Sequence, residues 1–395
     1  MPTFYNYTEN GVVYSFDDVF VPADAFRQGN LWTWGNNSYG RLGTNDALSR
    51  TTPVTTFAGG TNWKQVAGGD SHTAAIKTDG TLWTWGRNNR GQIGDDTLTN
   101  RSTPVTTFAG GTNWKQVACG SQHTAAIRGA GELWVWGRNG YGQLGDNTTT
   151  GRLTPVTTFA GGTNWKQVGA GRFSTYAVKT DGTLWAWGVN SYAQLGINAG
   201  GTSRSTPITT FAGGNNWKQV SGGYNFAAAI KNDGTLWSWG RNDGGQLGIN
   251  DVNTRSTPVT TFAGGNNWSD ISNLCGSRYN SAIKTDGTLW TWGRNSYGNL
   301  GDNTTTDRLT PVTTFSGGTN WKQVANGGSN SGHTAAIKTD GTLWIWGLNT
   351  SGQLGDNTTV SRQTPVTTFA GGTNWKQVSC GERHIAALTY IDDYV

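Results

Sequence analysis

The string Leu-Trp-x-Trp-Gly recurs seven times, beginning at Leu31, Leu82, Leu133, Leu184, Leu236, Leu289 and Leu343, with spacings of 51, 51, 51, 52, 53 and 54 residues. Each interval also carries one Thr-Pro-(Val/Ile)-Thr-Thr-Phe-(Ala/Ser)-Gly-Gly and one Asn-Trp. A period near fifty residues, built from short strand-like runs, marks a stacked array whose units cannot bury their apolar faces alone. The repeats hold all 21 tryptophans and seven of the nine prolines. Self-similarity from about residue 30 onward therefore argues for one closed body over residues 30–395, preceded by an extension at 1–29.

The unit from Asn113 to Gly162 shows how one repeat becomes one layer. Trp114-Lys-Gln-Val-Ala predicts a strand A, His123-Thr-Ala-Ala-Ile a strand B, Leu133-Trp-Val-Trp-Gly a strand C and Thr154-Pro-Val-Thr-Thr-Phe a strand D. In most units a Thr-Asp-Gly turn joins B to C, the chemistry of a tight hairpin loop with positive φ. Pro155 has no N–H to donate, so D belongs on an outer edge. Four antiparallel strands in each of seven units predict an all-β fold, a seven-bladed β-propeller. Alternation sends both strand-C tryptophans to one face of the blade, where they would supply the main contact between blades.

The ends specify how the ring closes. The first motif is a strand C at Leu31, and the last are Trp375-Lys-Gln-Val and His384-Ile-Ala-Ala-Leu, a strand A and a strand B. The closing blade is thus predicted to combine C-terminal A and B with N-terminal C and D. That leaves no open sheet edge to recruit a second chain.

Composition narrows the function. No run of eighteen apolar residues occurs, so no membrane-inserted segment is expected. The first thirty residues lack the basic-then-apolar pattern of a secretory leader, which predicts cytoplasmic synthesis. Cys119, Cys275 and Cys380 share one repeat position and fall in non-adjacent units, so free thiols are expected. The net charge of +5 follows the repeat, with an Arg three residues before each repeat proline from Arg50 to Arg362. Spread around a ring, it predicts no nucleic-acid partner, and those arginines should satisfy loop carbonyls.

The run Gly-x-x-His-Thr-Ala-Ala-Ile-Lys-x-Asp-Gly-x-Leu-x-x-Trp-Gly-x-Asn-x-x-Gly-Gln-Leu-Gly, clear at His333–Gly355 and with a variant turn at His123–Gly145, resembles the regulator-of-chromosome-condensation repeat. The resemblance covers about residues 30–390 and implies the same propeller and composite blade. It implies no single activity, since that family includes exchange factors for small GTPases, a plant ultraviolet photoreceptor and bacterial enzyme inhibitors. This chain has no long insertion to act as an exchange-factor wedge. Ser71, Gln122 and Gly332 precede strand-B histidines where the photoreceptor has Trp.

No nucleophile elbow, phosphate loop or paired-carboxylate pattern occurs, so no enzyme and no cofactor are implied. His72, His123, His333 and His384 share a strand-B position that Ser174, Phe226 and Tyr279 occupy elsewhere, which predicts a framework role. The Asp-Asn-Thr-Thr-Thr loops miss calcium-loop spacing, and no metal site is assigned. Variation among units is more informative. The B–C turns and D–A links are nearly invariant, whereas the A–B loops and C–D tips differ. We therefore assign binding to Asp70, Arg172, Phe173, Tyr224, Asn225, Arg278, Tyr279, Asn330 and Arg383 of the A–B loops, and to Tyr141, Tyr192 and Tyr297 of the tips.

Two functions suit such a face. The first is a bacteriophage virion or tail-associated host-recognition part, of a bacterial or phage type, ending in the virion. The second is a soluble regulator or inhibitor holding one protein partner. The partner is expected to be protein, as assembly neighbour or surface receptor, with carbohydrate as the other candidate. Seven aromatics within residues 4–26, with Asn10-Gly11 as a hairpin signal, would either cover the propeller rim or dock on another chain.

Overall fold

A computed structural model describes residues 7–9, 12–14, 29–272, 277–328 and 332–390. Strand A begins in successive blades at Trp63, Trp114, Trp165, Trp217, Trp268, Trp321 and Trp375, which we number blades 1 to 7. Blade 1 consists of Trp63–Gly68, His72–Lys77, Leu82–Gly86 and Arg101–Thr106, paired antiparallel in the order A-B-C-D. All seven sheets are four-stranded. Blade 7 joins Trp375–Cys380 and His384–Thr389 to Leu31–Gly35 and Arg50–Thr55, with Leu31 opposite Leu388 and Gly35 opposite His384. The composite closure is as the chain ends predicted.

The core is not central but divided into seven layers, one between each pair of neighbouring blades. The layer between blades 1 and 2, for example, packs Ala74, Ile76 and Leu82 of one blade on Trp114, Ala126 and Trp136 of the next. Fourteen tryptophans are fully buried, but they are not the two of each strand C. They are the strand-A Trp and the second strand-C Trp of each blade, while the first strand-C Trp is half-buried. Trp114 sits edge-on to both Trp134 and Trp136, at 6.2 and 6.3 Å between centroids. Such contacts add about 0.5–1.5 kcal/mol beyond area burial.

One carbonyl per blade is gripped by the next blade. The Gln92 oxygen accepts the Trp136 indole N–H at 3.0 Å and the Thr124 hydroxyl at 2.9 Å. Gly94, two residues on, has φ +75°, and an added Cβ would lie 2.7 Å from the Trp136 indole nitrogen. That proximity explains why Gln-Leu-Gly ends the motif.

A second ring of clasps lies at the axis. Gln65 donates to the Val117 carbonyl and accepts the Val117 N–H, so its amide mimics a backbone from one strand A to the next. Gln116, Gln167, Gln323 and Gln377 repeat the pattern. Blade 5 breaks it, because Asp270 stands where the glutamine should be.

In six of the seven units the arginine before the proline binds a carboxylate rather than mainly carbonyls, and Arg204, whose loop has Ile197-Asn198 in place of the aspartate, is the exception. Arg101–Asp95, Arg152–Asp146 and Arg308–Asp302 close their C–D loops at 2.6–2.7 Å. Asp302 also accepts from Asn295 and Thr304, so its oxygens are engaged within the loop. Cys119 and Cys380 are free and buried, as expected, while Cys275 lies outside the described residues. Tyr7–Glu9 pairs antiparallel with Val12–Tyr14, the hairpin that Asn10-Gly11 predicted. The aromatic side chains of residues 4–26 lie outside the described set.

Candidate functional site

Strand direction brings the A–B loops and C–D tips to one edge of the disc. Backbone bonds run between successive A–B loops: Ser121 N–H to Arg172 O, Arg172 N–H to Gly223 O, and Tyr224 N–H to Ser277 O, at 2.9–3.2 Å. The loops are therefore held to one another around the axis.

On that framework, arginines and aromatic rings alternate from blade 2 to blade 5. The Tyr141 and Phe173 rings lie 5.5 Å apart, with the Arg138 guanidinium 4.8 Å from Phe173. Arg172 lies 4.8 Å from Phe173 and 4.1 Å from Tyr224, whose hydroxyl it also hydrogen-bonds. Arg278 also lies over the Tyr224 ring, 4.5 Å from its centroid. Tyr141, Arg172, Phe173, Tyr224 and Arg278 were each assigned to binding, and here they form one relay. Tyr192 joins a second cluster beside it, under Arg241, which pairs with Asp243. Tyr297 is 41% exposed and shares a cleft with Arg278 and Arg294.

The remaining assigned residues divide. Arg383 is exposed and Asn225 partly so. Asp70 is half-buried and held by the Ser121 hydroxyl, and burial, reinforced by Glu382, raises its carboxyl to about 6. Tyr279 does not belong to the surface. It is 1% exposed, and its hydroxyl donates to the Gly327 and His333 carbonyls. It fills the strand-B slot of the histidines, so its place is in the core. Asn330 lies outside the described residues.

Sequence reasoning missed Arg87, Arg138, Arg241 and Arg294, which follow the Trp-Gly of strand C in four blades. The signal was present as Trp-Gly-Arg, but only the fold sets Arg87, Arg138 and Arg241 against rings from a neighbouring blade, and Arg294 against Asp243. Arg87, for instance, lies 4.8 Å over Tyr39 of blade 7. The Nε–H groups of Arg172, Arg278 and Arg294 are buried and have no acceptor among the described residues.

The histidines are framework, as predicted. His72 bonds the Thr124 hydroxyl at 3.0 Å, and His123 bonds Thr175 likewise. Those hydroxyls donate onward to carbonyls, so the imidazoles must donate through Nε2, and burial keeps them neutral. Burial lowers His72 to about 3 and His123 to about 4. Among the described residues no group of three His, Cys, Asp or Glu side chains is placed to hold a metal ion.

The edge so built carries partly exposed rings and guanidinium groups on a propeller framework. A family model described as the RCC1-like domain matches residues 25–332, and one for the regulator of chromosome condensation (RCC1) repeat matches 340–388. The chain belongs to this RCC1-like family. It is 34% identical to the ultraviolet-B receptor UVR8 of Arabidopsis thaliana over 332 residues, covering 82% of this chain and 74% of that one. It is 28% identical to the human E3 ubiquitin-protein ligase HERC2 over 91% of this chain, but only 8% of the ligase. In three dimensions it matches yeast RCC1 (Prp20) with a TM-score of 0.81 at 21% identity, covering 93% of this chain and 90% of the other. Human WBSCR16 matches with a TM-score of 0.78, also at 21% identity, over 93% and 100% of the chains. These relatives are from plants, mammals and yeast, so the bacterial or phage qualifier gains nothing from them.

Proposed function

We propose that this chain is a non-catalytic regulator that captures an acidic protein surface on its A–B/C–D edge. The observation that carries the reading is the relay from Tyr141 through Phe173 and Tyr224 to Arg278, which crosses four blades. Partly exposed rings clamped by guanidinium groups are ordered before binding, so little side-chain entropy is lost when a partner docks. Arg172 and Arg278 are partly exposed, and their guanidinium groups favour a partner that brings carboxylates. Yeast Prp20, whose fold this chain shares, is itself described in complex with Kap60 and as binding Gsp1p and histones.

A virion or tail role draws no support from the relatives named above. Light sensing is disfavoured by the residues before the strand-B histidines, and carbohydrate binding has no specific observation behind it.

The test is quantitative capture from a native extract by the immobilised full chain. Partners retained by wild type should be lost from Arg172→Glu/Arg278→Glu at unchanged melting temperature. Equal retention of every partner by that variant would remove this edge as the binding surface.

A further inference from the structure

The repeat phenylalanine does not end strand D. Strand D stops at the preceding Thr-Pro-(Val/Ile)-Thr, as in Arg101–Thr106, and the phenylalanine lies beyond it. All seven, from Phe57 to Phe369, are 62–68% exposed. They are not loose. Each backbone N–H is fixed to a glycine carbonyl at 2.8 Å, as Phe57 to Gly43 and Phe108 to Gly94, and each follows a threonine that is at most 5% exposed. The fold thus presents the same apolar ring, in the same setting, seven times.

Strand direction puts this position on the edge opposite the arginine relay, together with the B–C turns. Six strand-A lysines, from Lys64 to Lys376, follow the buried Trp there. A further cation closes strand B in six blades, as Lys77 does over Trp63 and Trp83. Carboxylates on this edge are fewer, chiefly the turn aspartates such as Asp79 and Asp181. Repetition about an axis sets the seven phenyl rings in one plane and the repeated cations of the same edge in a plane of their own.

Four features restrict the occupant. The apolar rings call for an apolar environment, and the surrounding lysines call for negative charge. A second copy of the same edge would bring like charges together. A protein partner would engage a few blades and leave the others no use for an exposed ring, whereas a lipid surface meets every blade with the same chemistry. Shared ancestry of the repeats does not account for the pattern, since the A–B loops of the same units differ from one another.

We propose that this edge docks on an anionic membrane surface, with the phenyl rings at the boundary of headgroup and acyl chain and the lysines against the headgroups. Nothing crosses the bilayer in this arrangement, in keeping with the absence of a helix long and apolar enough to do so among the described residues.

Co-sedimentation of the full chain with vesicles tests it. Binding is expected to phosphatidylcholine vesicles carrying about 30% phosphatidylserine, to weaken with added salt, and to be slight on phosphatidylcholine alone. Phe108→Ser/Phe159→Ser/Phe211→Ser should lower the partition coefficient by about tenfold or more, and Lys115→Glu/Lys166→Glu should do likewise. Both variants alter exposed side chains and should keep the wild-type melting temperature. Arg172→Glu/Arg278→Glu, on the other edge, should bind vesicles as wild type does, which separates this proposal from the protein-capture reading. Wild-type chain left in the supernatant with anionic vesicles, or undiminished binding by the phenylalanine variant, would overturn it.

Discussion

Trp34 donates its indole N–H to the carbonyl of Gln353 at 3.0 Å, joining residues 319 positions apart and sealing blade 7 against blade 6. The same grip recurs at every blade boundary, yet this one is thinner. Blade 7 has Ile385 where blade 2 has Thr124, so Gln353 lacks the hydroxyl donor that Gln92 receives.

Trp34→Phe should therefore cost more than Trp136→Phe, although both delete an indole N–H. At Gln92 the Thr124 hydroxyl still satisfies the carbonyl, whereas at Gln353 a buried acceptor loses this donor. The difference is expected to be about 1–2 kcal/mol, read from urea unfolding of the two variants. Equal costs would show that the threonine adds nothing.

Removing residues 373–395 deletes strands A and B of blade 7 and leaves Leu31–Gly35 with an unpaired edge. The truncated chain is expected to aggregate or dimerise by edge pairing. Size-exclusion chromatography checks this. A monomeric product with one cooperative transition would contradict the closure.

Asp270→Gln should stabilise the protein. It would restore the clasp between blades 5 and 6 and remove a carboxyl that burial pushes up to about 6. A gain of about 1 kcal/mol is expected from the added hydrogen bonds. A fall in melting temperature would mean that the carboxylate has a role the glutamine cannot fill.

Acid should weaken the fold in two stages. His72, His123 and His384 are held below their ordinary value by burial. The unfolded chain then binds more protons, and stability is lost as pH falls below about 6.5. Asp70 and Asp270, raised to about 6, act in the opposite sense, because the folded chain binds more protons between about 6 and 4. The net decline to about pH 4 should be shallow, and it should steepen below that as the loop aspartates paired with arginine protonate. In Asp70→Asn the decline between about pH 6 and 4 should grow steeper. Melting temperature against pH distinguishes the two.

The architecture was legible because its signals are local or periodic. Turn glycines, the edge proline and the spacing of Leu-Trp-x-Trp-Gly each specify one piece of a blade, and the motifs left at either end specify how the ring shuts. The arginine–ring relay was half legible. Variation among A–B loops pointed to Phe173 and Tyr224, but Arg138 comes from strand C of the preceding blade, and its approach to Phe173 exists only after blades stack. Tyr279 was misplaced because its loop is variable, although its register already matched that of buried His72. Strand alternation alone could not show that Phe57 lies past the end of its strand.

The shared blade also sets a clock on biosynthesis. Leu31–Gly35 leaves the ribosome about 350 residues before His384 can pair with it, which at 5–20 residues per second is roughly 20–70 s. Throughout that interval the nascent chain carries a tryptophan-rich strand that can pair with Arg50–Thr55 but lacks its strand-B neighbour. Whatever shields this orphan segment during translation, whether a chaperone or its own emerging neighbours, governs the yield of finished rings.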